Sequence, residues 1–213
     1  MSNLMVKICG MRDPSNIELI TECRPDLMGF IFVRSSSRYV ANLVRPDVVR
    51  ALASTLTTVG VFQNQELSEV AQIVSTYGLN VAQLHGEEDA RYIQELRKHS
   101  PGVKIFKAIS VRSATDVTNQ NNLTEVDAIL FDNGSGGSGE SFNWAFLSEY
   151  RGIVPFFVAG GVGTDNIVAL REMGGSWPRF FGIDASSKLE DQPGIKSATK
   201  TRALIAKAKG YDT

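Results

Sequence analysis

Residues 81–109 read VAQLHGEEDARYIQELRKHSPGVKIFKAI, and the pattern in this stretch recurs along the whole chain. VAQLH and VKIFKAI are short, mostly apolar runs with β-branched or aromatic residues, which favours buried strands. The segment between them begins with acidic residues and ends with basic ones, as the helix dipole prefers. The stretch therefore predicts a strand, a helix and a second strand.

The same unit returns at intervals of about 25 residues. Segments with helical signals separate the apolar runs: Asp13 and Pro14 suit a helix start, and Gly78 suits a helix end. Only residues 111–124, with many Asn and Thr, predict a short or irregular helix. The eight predicted strands are VKIC, LMGFIF, TVGVF, VAQLH, VKIFKAI, VDAILF, PFFVAG and RFFGI.

Strands that alternate with helices indicate a parallel sheet covered on both faces. An open doubly wound sheet usually has about five or six strands, so eight units fit a closed barrel better. A length of 213 residues, against roughly 150 for an average domain, favours one domain. We therefore predict a single-domain (β/α)8 barrel, an α/β fold spanning residues 1–213.

The composition argues against several classes of function. There are 22 Lys and Arg against 23 Asp and Glu, and no basic block that would follow a nucleic acid backbone. The apolar stretches are far shorter than the roughly 18 residues of a membrane span, and the first residues lack a signal-peptide pattern. Cys9 and Cys23 fit neither a disulfide framework nor a metal motif. We expect a cytoplasmic protein that binds neither nucleic acid nor membrane.

In a barrel of this kind the functional residues follow the carboxyl ends of the strands. Gly160 and Gly161 follow the seventh predicted strand, and Ser186 and Ser187 follow the eighth. Loops at these two places commonly bind phosphate through backbone N–H groups, helped by a short helix after the eighth strand. The alternative is that both pairs are plain turn residues.

Cys9 and Asp132 are the candidates for acid–base chemistry. Cys9 ends the first strand, and nearby cations such as Lys7 and Arg12 could favour a thiolate that acts as base or nucleophile. Asp132 follows the apolar run AILF, where a carboxylic acid can keep a proton to give to a substrate. The alternatives are a small buried apolar residue for Cys9 and a turn or capping residue for Asp132.

Three further side chains are candidates for binding or catalysis. His85 could be a base or simply a hydrogen-bonded residue at a strand end. Arg38 could clamp a carboxylate or phosphate with two hydrogen bonds, or lie on the surface. Lys107 could form a Schiff base, a weaker alternative.

The segment GSGGSG, residues 134–139, lies in the sixth unit. It matches the glycine pattern of dinucleotide-binding folds, but neither the helix nor the acidic residue of that motif follows it. We interpret it as a mobile loop over the site, since glycines allow close approach to a substrate.

Taken in order, the strand ends resemble the phosphoribosylanthranilate isomerase family, (β/α)8 enzymes of tryptophan biosynthesis. The resemblance covers nearly the whole chain and is most specific in KICG, QLHG and the FD that precedes GGSG-x-x-FNW. Ser37, Lys188 and Ser197 depart from the residues usual in the family. The resembling segments are KICGMR (7–12), GFIF with SRYV (29–40), VGVFQNQ (59–65), VAQLHGEE (81–88), LFDNGSGGSGESFNW (130–144), AGGVGTDNI (159–167) and GIDASSKLEDQPGIK (182–196).

The resemblance implies an Amadori rearrangement of N-(5-phosphoribosyl)anthranilate that needs no metal or other cofactor. Asp132 corresponds to the general acid and Cys9 to the general base of the family. Arg38 and His85 would bind the substrate, a small phosphorylated molecule. The phosphate would be bound by Gly160 with Gly161 and by residues 184–187, namely Asp184, Ser186 and Ser187. The assembly would be a monomer or a homodimer.

Two rival functions remain at this stage. Another phosphosugar barrel, such as an epimerase or indole-glycerol-phosphate synthase, would share the phosphate loops. An epimerase would be expected to carry a metal site of His and Asp, and the synthase a catalytic Lys–Glu set. A regulatory barrel that only binds a phosphorylated metabolite would tolerate the loss of Cys9 or Asp132, yet both are present.

Overall fold

A computed structural model describes residues 4–134 and 141–211, and in it eight parallel strands close into a barrel in chain order. Strand β1 pairs with β2 on one side and with β8 on the other, which closes the ring. All eight predicted strands are confirmed. Their bounds are β1 Met5–Cys9, β2 Leu27–Ile31, β3 Thr57–Phe62, β4 Val81–Leu84, β5 Lys104–Ser110, β6 Ala128–Asp132, β7 Phe156–Val158 and β8 Phe180–Ala185.

The helices lie outside the barrel, and their ends follow the local signals. Asp13 is the N-cap of the first helix and accepts a hydrogen bond from the N–H of Asn16, while Gly78 ends the third in the left-handed conformation. Residues 111–124 hold only one short helix, as predicted. The helices are α1 Pro14–Thr21, α2 Pro46–Leu52, α3 Leu67–Tyr77, α4 Ala90–His99, α5 Ala114–Thr118, α6 Ile167–Gly174 and α7 Ala198–Lys209.

Two connections differ from the expected helices. The segment after β6 forms a 3₁₀ helix, Trp144–Glu149, instead of an α-helix. The expected short helix after β8 is a single 3₁₀ turn, Ser187–Leu189. A two-stranded antiparallel hairpin follows that turn, formed by β9 Glu190–Gln192 and β10 Ile195–Lys196, which the strand pattern did not predict. Each of its strands is too short to produce an apolar run.

Alternation along the strands decides which side chains enter the barrel. On β1, Val6 and Ile8 belong to the large apolar layer between barrel and helices. Met5 instead packs with the apolar cluster inside the barrel, so Lys7 and Cys9, on the same face as Met5, point inward. That interior cluster comprises Leu27, Val59, Val81, Phe106, Ala108, Ala128, Leu130, Phe157 and Ala159. The polar interior positions therefore lie above it, toward the carboxyl ends of the strands.

In the part of the chain that the structure describes, no helix combines the length and apolar character that crossing a membrane requires. Of the segment 134–139 interpreted as a mobile loop, only Gly134 is among the described residues. The remaining five positions lie outside them.

Candidate functional site

A cavity of about 580 Å³ opens at the carboxyl ends of the barrel strands. All nine side chains and glycines predicted for the site line it: Cys9, Arg38, His85, Asp132, Gly160, Gly161, Asp184, Ser186 and Ser187. A larger cavity of about 1330 Å³ lies at the opposite end of the barrel, where Thr57 and Lys104 begin their strands. None of the predicted site residues lines that second cavity, so we assign the candidate site to the first.

Cys9 lies at the end of β1 with only 6% of its surface exposed. Burial raises the pKa of the thiol, and the neighbouring Lys7 ammonium opposes this effect. Of the two cations expected to act on Cys9, only Lys7 does so, because Arg12 turns away and donates a hydrogen bond to the Ser37 carbonyl. The sulfur is therefore set in a buried, cation-facing position instead of an open one.

Lys7 is fully buried inside the barrel, and its Nζ lies 2.9 Å from Oδ2 of Asp184. The two residues face each other in the register of β1 with β8. Burial disfavours the ammonium, but Asp184 and the Cys9 sulfur together outweigh burial, and the pKa of Lys7 is raised. The side chain of Asp184, predicted at the phosphate loop, is thus engaged with a lysine in the barrel interior.

Asp132 ends β6 and is buried, with 6% of its surface exposed. Its Oδ1 accepts a hydrogen bond of 2.8 Å from the N–H of Asn133. Its Oδ2 lies 3.4 Å from Nε2 of His85, which follows β4. These contacts fix the carboxyl group at the cavity wall, where it has a titratable neighbour that reaches solvent.

Arg38 follows β2 and forms a two-pronged ion pair. Its Nε and Nη2 each donate a hydrogen bond of 2.7 Å to one carboxylate oxygen of Glu190. The fork that sequence analysis assigned to a substrate anion is therefore used by Glu190, and Nη1 is the nitrogen that takes no part in the pair. Sequence analysis missed Glu190 because it lies 152 residues after Arg38.

Glu190 is the centre of a cluster at the rim of the cavity. Lys196 Nζ lies 2.5 Å from its Oε1, and the N–H of Gly194 donates to the same oxygen. Burial alone would raise the pKa of Glu190, but Arg38 and Lys196 hold it at about 2. Lys196 also donates to the hydroxyl of Ser186, which in turn donates to the Cys9 carbonyl. The cluster thus joins Arg38 to the loop after β8.

The glycines after β7 have the backbone that close approach to an anion requires. Gly160 and Gly161 have φ angles of +73° and +66°, in the left-handed region that favours glycine. Asn166 braces this loop, since its side chain donates to the Gly161 carbonyl and accepts from the N–H of Gly163. Together with Ser186, these glycines border one corner of the cavity.

One of the residues that depart from the family pattern, Lys188, lies beside this corner. Lys188 lines the cavity, and its Nζ forms an ion pair of 2.8 Å with Asp165. Ser197 is the N-cap residue of α7, away from the cavity lining. Lys188 therefore adds a cation at the rim beside the two candidate phosphate loops.

Lys107 does not line the cavity. It lies on β5 between the inward-facing Phe106 and Ala108, so its side chain points outward. There it donates a hydrogen bond to Glu88, which also accepts from the N–H groups of Asn64 and Gly86. The Schiff-base alternative is therefore wrong, and Lys107 fixes the loop that follows His85.

Two buried oxygens in the cavity accept no hydrogen bond from the residues that the structure describes. They are Oε1 of Gln83, on β4, and Oδ1 of Asp184. A buried acceptor without a donor is costly, and such atoms in a cavity indicate a ligand that donates to them. Sequence analysis gave Gln83 no role, although its inward-facing position on β4 is the signal that marks it.

Comparisons with known proteins identify the family of this chain. Residues 6–207 match the family model described as N-(5'phosphoribosyl)anthranilate (PRA) isomerase. The N-(5'-phosphoribosyl)anthranilate isomerase of Nostoc punctiforme is 36% identical over 210 residues, covering 96% of this chain and 98% of that protein. The phosphoribosyl anthranilate isomerase of Thermus thermophilus has a solved structure that matches with a TM-score of 0.83 and 27% identity, covering 98% of this chain and 100% of that one.

A further solved phosphoribosyl anthranilate isomerase, in complex with reduced 1-(o-carboxyphenylamino)-1-deoxyribulose 5-phosphate, matches with a TM-score of 0.76 and 27% identity. The match covers 97% of this chain and 99% of that one. The barrel, the lined cavity and the family match over residues 6–207 lead to one assignment. The chain belongs to the N-(5'-phosphoribosyl)anthranilate isomerase family and is an isomerase.

Proposed function

We propose that this chain converts N-(5-phosphoribosyl)anthranilate to 1-(2-carboxyphenylamino)-1-deoxyribulose 5-phosphate, with Asp132 as general acid and Cys9 as general base. The observation that carries the proposal is that both residues line one cavity, at the ends of β6 and β1. An isomerisation by proton transfer needs two such groups on one bound molecule.

The substrate has two anionic ends, and the cavity offers a separate region for each. The left-handed glycines after β7 and the serines after β8 suit the phosphate, because their backbone N–H groups can surround it. Arg38 suits the anthranilate carboxylate. Its Nη1 would be the donor, because Glu190 accepts from Nε and Nη2. In this proposal the side chain of Asp184 pairs with Lys7, and the residues that follow Asp184 bind the phosphate group.

The first chemical step is ring opening. Asp132 gives its proton to the furanose ring oxygen, the bond from that oxygen to the anomeric carbon breaks, and a protonated Schiff base forms with the anthranilate nitrogen. His85 lies 3.4 Å from the same carboxyl group. It holds the acid in place and, with about a quarter of its side chain exposed, offers a route for a proton from solvent.

The second step removes a proton from C2'. The Cys9 thiolate takes that proton, and the electron pair of the C–H bond moves to the Schiff base to give an enolamine. The enolamine then tautomerises to the ketone. The two unpartnered oxygens, Gln83 Oε1 and Asp184 Oδ1, are suited to accept hydrogen bonds from the sugar hydroxyls during both steps.

The test is a fluorescence assay with phosphoribosylanthranilate generated in the cuvette, since its conversion removes the anthranilate fluorescence. We expect turnover by the purified chain, and its absence would overturn the proposal. Inorganic phosphate should inhibit competitively if the loops after β7 and β8 bind the phosphate group. Inhibition that is noncompetitive would place the anion elsewhere.

A further inference from the structure

Lys7 is a charged side chain at a place that packing alone would give to an apolar residue. It lies two residues before Cys9 on β1, points into the barrel and is fully buried. A buried ammonium carries a large desolvation cost, which a single ion pair with Asp184 only partly offsets. Packing alone therefore does not explain a lysine at this position.

Gly29 shows how close the ammonium and the sulfur lie. Gly29 is the residue opposite Cys9 in the register of β1 with β2. A Cβ atom added to Gly29 would lie 2.7 Å from Cys9 Sγ and 3.2 Å from Lys7 Nζ. Both groups therefore border the small space that the missing side chain leaves, and the ammonium is beside the sulfur.

Other charged groups also act on this sulfur. Asp184 on β8 and Lys196 on β10 both affect the pKa of Cys9. The charge of Cys9 in turn raises the pKa of Arg38, in the loop after β2. Asp132, at the end of β6, and His85, which follows β4, act electrostatically on Asp184. Lys196 and Arg38 are both paired with Glu190, whereas Lys7 is the cation with the largest effect on Cys9.

We infer that Lys7, held in place by Asp184, is a positioning residue that stabilises the negative charge of the Cys9 sulfur. The inference rests on the proposed function, in which that sulfur takes the proton from C2'. Before turnover the thiol gives its proton to solvent, and the ammonium then faces a thiolate. Asp184 has two effects, because it orients Lys7 and also places a negative charge near the sulfur.

The competing explanation is that Lys7 and Asp184 only fasten β1 to β8, where the barrel closes. The two explanations predict different signs for the changes in the pKa of Cys9. If the pair is only structural, removing either partner perturbs the site in the same way. If Lys7 acts on the sulfur by its charge, then removing Lys7 raises the pKa of Cys9, whereas removing the charge of Asp184 lowers it.

The experiment measures the titration of Cys9 directly, by the absorbance of the thiolate near 240 nm, in a C23S background with C9S/C23S as the blank. Lys7→Met keeps an unbranched side chain that is one atom shorter and removes its charge, and Asp184→Asn removes the opposite charge. We expect Lys7→Met to raise the pKa of Cys9 by at least about one unit and Asp184→Asn to lower it. Shifts in the same direction, or no shift, would overturn the inference.

The double variant K7M/D184N guards against a folding failure, because it leaves no unpaired charge in the barrel. It too should titrate above the parent, since the cation beside the sulfur is gone, and a value equal to the parent would contradict the inference. In the isomerase assay, Lys7→Met should lower kcat near neutral pH and regain activity at higher pH, with little change in KM. If the parent chain lacks isomerase activity, the proposed function fails, while the titration still decides the role of Lys7.

Discussion

The guanidinium of Arg38 donates two hydrogen bonds of 2.7 Å to the two carboxylate oxygens of Glu190. Glu190 has 7% of its side chain exposed, and it is shared with Lys196. A charged group held in this way has one orientation, so the cavity receives a fixed donor. A free arginine would have to be ordered each time substrate binds, at a cost in entropy.

Glu190→Gln should therefore weaken substrate binding more than chemistry. We expect KM for phosphoribosylanthranilate to rise roughly tenfold, since about 1.4 kcal/mol of positioning is lost, with a smaller change in kcat. Initial rates over a range of substrate concentrations separate the two constants. Asp191→Asn is the matched control, because Asp191 is the next residue in the sequence and its ion pair with Lys200 is exposed. A control that raises KM equally would contradict the role of Glu190.

The same cluster should make the stability of the protein sensitive to acid. The folded-state pKa of Glu190, about 2, lies below its ordinary value of 4.5. Its stabilising effect is therefore fully present above about pH 4.5 and is lost as the pH falls toward about 2. From that difference we expect roughly 3 kcal/mol at neutral pH. The free energies of unfolding in urea of the parent and of Glu190→Gln should differ near pH 7, and this difference should narrow at about pH 3. A difference that stays constant would contradict the prediction.

The proposed acid and base should each be needed for turnover. General acid–base groups contribute typically about 10²- to 10⁴-fold, so Cys9→Ser and Asp132→Asn should each lower kcat by about that factor while the fold stays intact. Circular dichroism checks the fold and the fluorescence assay gives kcat. Cys23→Ser is the control, because Cys23 contacts the carbonyls of Leu19 and Ala198, outside the cavity. Near-normal turnover by Cys9→Ser or Asp132→Asn would remove that residue from its role.

The pH dependence of kcat should follow the ionisation of Cys9. Burial raises the pKa of this thiol, with Lys7 in opposition, and the thiolate is the reactive form. Activity should therefore increase with pH as the thiolate forms and decrease again once the general acid no longer carries its proton, which is the bell-shaped profile of an acid–base pair. The check is kcat at saturating substrate between about pH 6 and pH 9. A flat profile over that range would argue against Cys9 as the base.

Gly160 should tolerate no side chain, for two separable reasons. Its φ of +73° is unfavourable for alanine, and an added Cβ would lie 2.8 Å from Oδ1 of Asp132. Gly102 provides the control, because its φ is +86° while nothing lies within 4 Å of the added atom. Both alanine variants should lose about 1–2 kcal/mol of stability, but only Gly160→Ala should lose most of its kcat. Equal kcat in the two variants would contradict the contact with Asp132.

The strands and the lining of the cavity could be predicted because both follow from local pattern. Buried apolar runs give the strands, and alternation along each strand decides which residue at its end points inward. Gln83 and Asp184 could be placed in this way. Lys7 could also have been placed inside the barrel, since it shares a face with Cys9 two residues later.

The partners of these residues could not be predicted from the chain. Lys7 pairs with Asp184 across 177 positions, and nothing in the local pattern of either residue indicates the other. The hairpin of β9 and β10 was missed for a related reason, because its strands are held by ion pairs to Arg38 and by hydrogen bonds to Asn16 instead of by apolar burial. Long-range polar pairing leaves no periodic signal.

The position of that hairpin after the eighth strand has a consequence for synthesis. Arg38 leaves the ribosome long before Glu190 and Lys196 exist, and β1 likewise has no β8 to pair with until the last unit is made. A nascent or truncated chain therefore has neither a closed barrel nor a fixed Arg38. The cavity proposed as the active site is therefore complete only after β8, β9 and β10 have been made.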